Sequence, residues 1–211
     1  GIGRIVWLYQ EFYVQVFLYE GAYMAGLYLA SQSPRRTELL TQVGIDHTVV
    51  SSTYEESNEG YDNPIEMVKA QALGKARCAV GVPDRSIVLG ADTIVVLDNK
   101  VLGKPHDESD ARHMLEHLSG RAHSVITGVA LLIKGEEIVF HNETKVYFKQ
   151  LAPFEIESYI ASGEPMDKAG AYGIQGKGAL WVDKIEGSYT NVVGLPVEHV
   201  YEELCKALGA K

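Results

Sequence analysis

The stretch that most constrains this fold is LASQSPRRTELL, residues 29–40. Leu27-Tyr28-Leu29-Ala30 is a short apolar run of the kind that forms a buried strand. Ser33 and Pro34 then supply a helix start. Ser33 stands at the N-cap and Pro34 at the first helical position, where its missing N–H removes no helical bond. Gly44 sits where that helix would stop. A strand feeding a helix N-terminus leaves backbone N–H groups unpaired, and these favour an anion. Arg35 and Arg36 fall in the first turn, where cations oppose the helix dipole unless something negative lies between. A phosphate suits that arrangement. An ordinary capped helix with two solvated arginines accounts for the same residues.

The rest of the chain alternates between extended and helical patterns. Residues 46–51 read as a second strand, and 52–63 as an acidic, turn-prone loop with Glu55, Glu56, Glu59 and Asp62. Asn63-Pro64 opens a helix expected to run to about Gly81. A buried strand over 86–91 is expected to end at Asp92-Thr93, with 94–97 and 101–102 forming a hairpin around Asp98-Asn99-Lys100. Helices are predicted over 107–118, 153–161 and 195–208, long strands over 121–133 and 137–149, and a last strand over 179–186. The Gly-rich segment 162–178 reads as a loop. Such intermixing predicts an α/β class with a mixed sheet and flanking helices.

Bulk properties exclude several functions. The 211 residues are 46% hydrophobic and 22% charged, enough to bury a substantial core. A formal net charge of -9 argues against nucleic acid or an anionic membrane as partner, since such surfaces carry a basic excess. Cys78 and Cys205, each in a helix-like stretch, form no CxxC or Cys/His pattern, so neither structural zinc nor a disulfide framework is expected. A reducing cytoplasm follows as the simplest setting. The first 23 residues are aromatic and β-branched but too short to span a bilayer. They read as an extension of uncertain role, either an upstream leader or mis-set start or else an added strand or partner-binding segment, ahead of a domain over 24–211 that starts at Met24.

Several constellations carry potential chemistry. Asp92, at what reads as the C-terminal end of a strand, can bind a divalent metal or accept a proton from water. It also fits a plain turn aspartate. Glu55 or Glu56 offers a second carboxylate from the acidic loop. Lys104 stands between Gly103 and Pro105, which fix its loop; Lys75 and Lys168 are otherwise unremarkable lysines. The run DKAGAYGIQGKG, 167–178, lacks both the Walker A and the GxGxxG spacing, but Gln175 between glycines has an amide able to read a base edge. His113 and His117, with Glu116 between them, lack the HExxH order and a third ligand.

Taken in order, LASQSPRRTELL, YEE (54–56), Lys75, GADTIV (90–95), GKP (103–105), SGRAHSVITGVAL (119–131), GEPMDKAGAYGIQG (163–176) and GSYTNVVGLP (187–196) resemble the Maf family of nucleoside triphosphate pyrophosphatases. The resemblance covers roughly 24–208, without the leader. It implies a mixed twisted sheet with flanking helices, in two lobes around a deep cleft, related to the inosine triphosphatase-like fold. It implies cytoplasmic hydrolysis of a nucleoside triphosphate to monophosphate and pyrophosphate with Mg or Mn, by a protein that forms a homodimer. By motif position Asp92 matches the catalytic proton acceptor and, with Glu56, the metal ligands. Arg35, Thr93 and Gln175 match positions that set substrate choice in a branch favouring dTTP and UTP. Ser31, Arg36, Lys75, Lys104 and Lys168 match the phosphate-binding positions. A nucleotide-binding regulator linked to septum formation and cell division is the rival reading. Asp92 speaks for an enzyme, because a sensor has no need of an acid there.

Overall fold

A computed structural model describes residues 18–19, 22–23, 26–57 and 59–208. In chain order its elements begin with β1 (Leu18–Tyr19), β2 (Ala22–Tyr23), β3 (Leu27–Leu29), α1 (Pro34–Gln42), β4 (Thr48–Val49) and α2 (Pro64–Arg77). Next come β5 (Ile87–Leu97), β6 (Lys100–Leu102), α3 (Glu108–Leu118), β7 (Ala122–Ile133), β8 (Glu136–Phe148) and α4 (Pro153–Ala161). Three 3-10 turns follow at Glu164–Asp167, Ala169–Ala171 and Lys177–Trp181, then β9 (Val182–Glu186), α5 (Tyr189–Val193) and α6 (Val197–Ala207). Seven strands form a mixed sheet in the order β4-β3-β5-β7-β8-β9, with β6 on β5. β3 runs parallel to β4 and β5, whereas β6 pairs antiparallel with β5 and β9 with β8. The α/β class and the mixed sheet expected from the sequence are thus present. Most of the leader lies outside the described residues; the exception is the small β1–β2 pair.

Several boundaries depart from the sequence reading. Asp92-Thr93 does not end a strand. β5 continues through them because its first half pairs with β3 up to Leu89 and its second half with β6 from Val95. The β5–β6 turn is the two-residue Asp98-Asn99, with φ of 52° and 62°. Both residues in the left-handed region match the strand twist of a tight hairpin. α2 stops at Arg77, short of Gly81, because Ala79 bridges to Ser52 and the Val80 N–H donates to the Ser51 carbonyl. Cys78 is therefore a helix cap and not a helix residue. The strand expected over 46–51 shrinks to Thr48–Val49. The segment over 162–178 is ordered into 3-10 turns, and its last turn displaces the start of β9 to Val182.

The chain packs as two compact units. One comprises Gly1–Asp92, Gly128–His141 and Gly194–Lys211; the other comprises Thr93–Thr127 and Asn142–Val193. In the first, Ala30, Ala72, Ala76, Val88 and Ala130 form a core of small side chains. Small residues are required there because α2 lies directly on the sheet. A Cβ at Gly90 would strike the Ala72 carbonyl oxygen and Ala76, and one at Gly128 would strike the backbone of Val68 and Lys69. α6 closes this unit with Val197, Val200 and Leu204 buried. The second unit is more aromatic: Phe148, Tyr159, Tyr172 and Trp181 join Leu115, Leu118, Ile156 and Ile160. Their rings meet edge to face, Tyr159 on Trp181 at 4.5 Å and Phe148 on Tyr172 at 4.7 Å between centroids, the arrangement aromatic quadrupoles favour.

Candidate active site

The first unit gathers six of the sequence-derived candidates on the β3–α1 connection, α1, α2, β5 and the acidic loop. Side chains alternate along a strand, so Asp92 shares a face with Gly90. Gly90 is the point where α2 touches the sheet, and Asp92 therefore comes within reach of α2's polar edge. Lys75 Nζ lies 3.2 Å from Asp92 Oδ1 and 3.4 Å from the Ala91 carbonyl oxygen. The same ammonium is 2.6 Å from Glu56 Oε1. One lysine thus stands between two carboxylates.

Glu56 reaches this position because its loop is fastened along α2. Ser52 Oγ donates to the Lys75 carbonyl at 2.8 Å, and the Thr53 N–H donates to the Cys78 carbonyl at 3.0 Å. The Tyr54 ring packs where Gly74 has no side chain, and Gln71 Nε2 donates to the Ser57 carbonyl. Tyr54 stands in the YEE run, but its packing on Gly74 and the part of Gln71 were missed in the sequence. The only available signal was a glycine and a polar residue on the helix face that also carries Lys75.

Arg36 is buried, an unusual state for a guanidinium. Its Nε donates to the Gly194 carbonyl at 2.7 Å and its Nη1 to Ser31 Oγ at 2.9 Å. Ser31 Oγ also accepts from the Ser33 N–H at 3.3 Å. Ser33 occupies the N-cap of α1 but makes no side-chain cap bond. Ser31 and Arg36 therefore brace one another and the turn into α1. Burial lowers the Arg36 pKa to about 10, so it stays charged at neutral pH, with Asp92 in its field. Arg35 is half-buried beside it. For Asp92 itself, burial outweighs the attraction of Lys75 and Arg36, and its carboxyl is held above the ordinary aspartate range. A carboxylate so raised binds a proton more readily, as a general base requires.

The remaining candidates belong to the second unit. Alternation turns Thr93 to the face opposite Asp92. Its hydroxyl lies 2.9 Å from Thr127 Oγ1, which donates to the Asn191 carbonyl at 3.3 Å. Asn191 Nδ2 in turn donates to the Val125 carbonyl and to Thr144 Oγ1, at 3.1 and 2.9 Å. The sequence reading named Thr93 and quoted the runs that hold Val125, Thr127 and Asn191, but the hydrogen bonds among them join residues far apart in the chain and were not legible. Lys104 is exposed on a loop whose Gly103 carbonyl accepts from the Gly170 N–H at 3.1 Å. Lys168 Nζ donates to the Glu164 carbonyl at 2.7 Å and to Asp167 Oδ1 at 2.9 Å. Gln175 is exposed on the turn before the last 3-10 segment.

Among the described residues no group of three or more His, Cys, Asp or Glu side chains could hold a metal. His117 Nδ1 is instead 2.6 Å from the His113 carbonyl oxygen within the helix. Glu56 and Asp92 remain, and both carboxylates pair with the Lys75 ammonium, which a cation shared by them would have to displace. Two carboxylates, completed by phosphate oxygens and water, suit Mg²⁺, which seldom takes an all-protein cage.

The family model for Maf-like protein matches residues 26–207. The chain belongs to the Maf-like family. Its Maf relatives include proteins called dTTP/UTP pyrophosphatase from three bacteria. That of Bacillus cytotoxicus is 50% identical over 176 residues, covering 83% of this chain and 92% of its own. That of Symbiobacterium thermophilum is 52% identical over 181 residues, covering 86% and 93%. The Moorella thermoacetica protein is 52% identical over 189 residues, covering 88% and 96%. No helix among the described residues of this Maf chain is long and apolar enough to cross a membrane, and both cysteines are free thiols.

Proposed function

We propose that the chain hydrolyses nucleoside triphosphates, dTTP and UTP foremost, to the monophosphate and pyrophosphate. The observation that carries this reading is the largely buried Asp92 carboxyl paired with Lys75, whose ammonium also meets Glu56. Asp92 takes a proton from water as its oxygen attacks the α-phosphorus. The α–β anhydride bond breaks and pyrophosphate leaves. Arg35, Lys104 and Lys168 bind the phosphates, and Lys75 neutralises charge beside Asp92; placed donors are most effective where charge develops in the transition state. Ser31 and Arg36 hold the α1 entry in shape, and Arg36 adds positive potential for the phosphates. Glu56 and Asp92 would hold the divalent cation, Mg or Mn, which would supply Lewis-acid stabilisation of phosphate charge. Arg35, Thr93 and Gln175 govern which base is accepted. The protein acts in the cytoplasm as a homodimer, with no nucleic acid or membrane as partner.

The test is product analysis with UTP, dTTP, CTP and GTP in the presence of Mg²⁺ or Mn²⁺. The expected products from UTP and dTTP are the nucleoside monophosphate and pyrophosphate in equal amounts. Release of orthophosphate instead, or a preference for GTP, overturns the reading.

A further inference from the structure

The turn that carries Gln175 is clamped by one tyrosine–glutamate pair. Tyr159 is buried, with its ring edge-on to Trp181. Its hydroxyl accepts from the Gly173 N–H at 3.1 Å and donates to Glu164 Oε1 at 2.9 Å. The other Glu164 oxygen, Oε2, accepts from the Lys177 N–H at 3.3 Å. Gly173 and Lys177 lie two residues to either side of Gln175, so both flanks of the turn end on the same pair. Between them Gly176 sits against the Glu164 carboxylate, where a Cβ would overlap it, and a Cβ at Gly178 would strike the Gly173 carbonyl. The Glu164 backbone carbonyl also receives Lys168 Nζ at 2.7 Å. A surface turn of small residues has little stiffness of its own. Here that stiffness is supplied from the core of the second unit.

We propose that Tyr159 and Glu164 are specificity-determining positioning residues, which hold the Gly173–Lys177 turn so that the Gln175 amide keeps one orientation towards the base. The proposal rests on the reading of Gln175 as a base-reading residue in a uridine- and thymidine-type pyrophosphatase. At its O4–N3 edge uracil offers a carbonyl acceptor beside an N3–H donor, which an amide matches in one orientation, while cytosine offers the reverse order there. A wandering amide reads both edges poorly. Neither Tyr159 nor Glu164 needs to touch substrate.

The experiment measures kcat and KM for UTP, dTTP, CTP and GTP on wild type, Tyr159→Phe, Glu164→Ala, Glu164→Gln and Gln175→Ala. It also follows amide hydrogen exchange at Gly173 and Lys177. Tyr159→Phe keeps the ring on Trp181 and removes only the hydroxyl. Loss of one such bond is expected to lower the UTP-to-CTP ratio of kcat/KM about tenfold, mostly through KM, with faster exchange at Gly173. Glu164→Ala is expected to do the same with faster exchange at Lys177. Glu164→Gln, which retains an oxygen acceptor, should recover most of the ratio. If Gln175→Ala flattens the ranking while Tyr159→Phe and Glu164→Ala keep it, the positioning proposal fails and the Gln175 reading stands. If Gln175→Ala leaves the ranking intact, the Gln175 reading fails and takes the proposal with it. Unchanged exchange at both amides also overturns the proposal.

Discussion

Asp92 shows how a single group is tuned by competing terms. Two cations lie near it, and by charge alone its pKa should fall; burial reverses the sign. Asp92→Asn retains shape but neither accepts a proton nor binds a cation well. The expected loss in kcat is about 10²–10⁴-fold with an unchanged unfolding midpoint, read from steady-state kinetics and thermal denaturation. A retained kcat removes Asp92 from the chemistry. His123 is tuned by burial without any partner charge. Its Nε2 lies 2.6 Å from Tyr172 Oη, Nδ1 has no partner among the described residues, and burial lowers its pKa to about 4. The unfolded chain therefore binds more protons than the folded one between about pH 6.5 and 4. Stability is complete above that window and falls as pH drops through it, by about 1.4 kcal/mol per pH unit. Urea unfolding at pH 7 and pH 5 on wild type and His123→Gln should show a shallower loss in the variant; equal losses exclude His123 as the source.

At the scale of elements, α2 and β5 build the polar cluster by close approach. Gly90 and Gly128 let the helix backbone meet the sheet, and that contact sets how far Lys75 must reach. Gly90→Ala forces α2 away or distorts it. Overpacking of this kind costs roughly 1–3 kcal/mol. Because Lys75 moves with the helix, turnover should fall together with the urea midpoint, at an unchanged m-value. Stability lost with kcat intact would show that the Lys75 position tolerates the shift. The Lys75–Glu56 pair is half exposed and contributes little stability on its own. Its value lies in where it holds a carboxylate.

Across the whole molecule, neither compact unit is a continuous stretch of chain. The first draws its closing helix from the far end, and Gly194 supplies the carbonyl that receives Arg36. Deleting residues 194–211 would expose the faces that meet Val197, Val200 and Leu204, at about 1.5–3 kcal/mol per side chain, and leave a buried cation short of an acceptor. The expected outcome is an unfolded or aggregated product by circular dichroism and gel filtration. At the other end the family match starts at residue 26. A chain beginning at Met24 is expected to fold and to turn over substrate at a similar rate; loss of soluble protein would assign a structural part to the leader.

The sequence by itself determined the elements whose signals are local. Pro34 and Asn63-Pro64 fixed two helix starts, because a cap or a ring acts within one turn; Asn63 indeed accepts from the Glu66 N–H group. The alternating strands, the α/β class and the ordered set of motifs were legible for the same reason. Tertiary structure alone decided what depended on partners distant in sequence. β5 runs through Asp92 because β3 and β6 pair with its two halves. Arg36, in a helix start that also reads as solvated, is buried because a carbonyl 158 residues away receives it. The Asn191 chain joins residues far apart in the chain, and the Tyr159 hydroxyl receives the N–H of Gly173 from beyond two intervening turns. A local pattern records the conformation a segment prefers, but a buried hydrogen bond is specified by both of its ends, and only the folded chain brings them together.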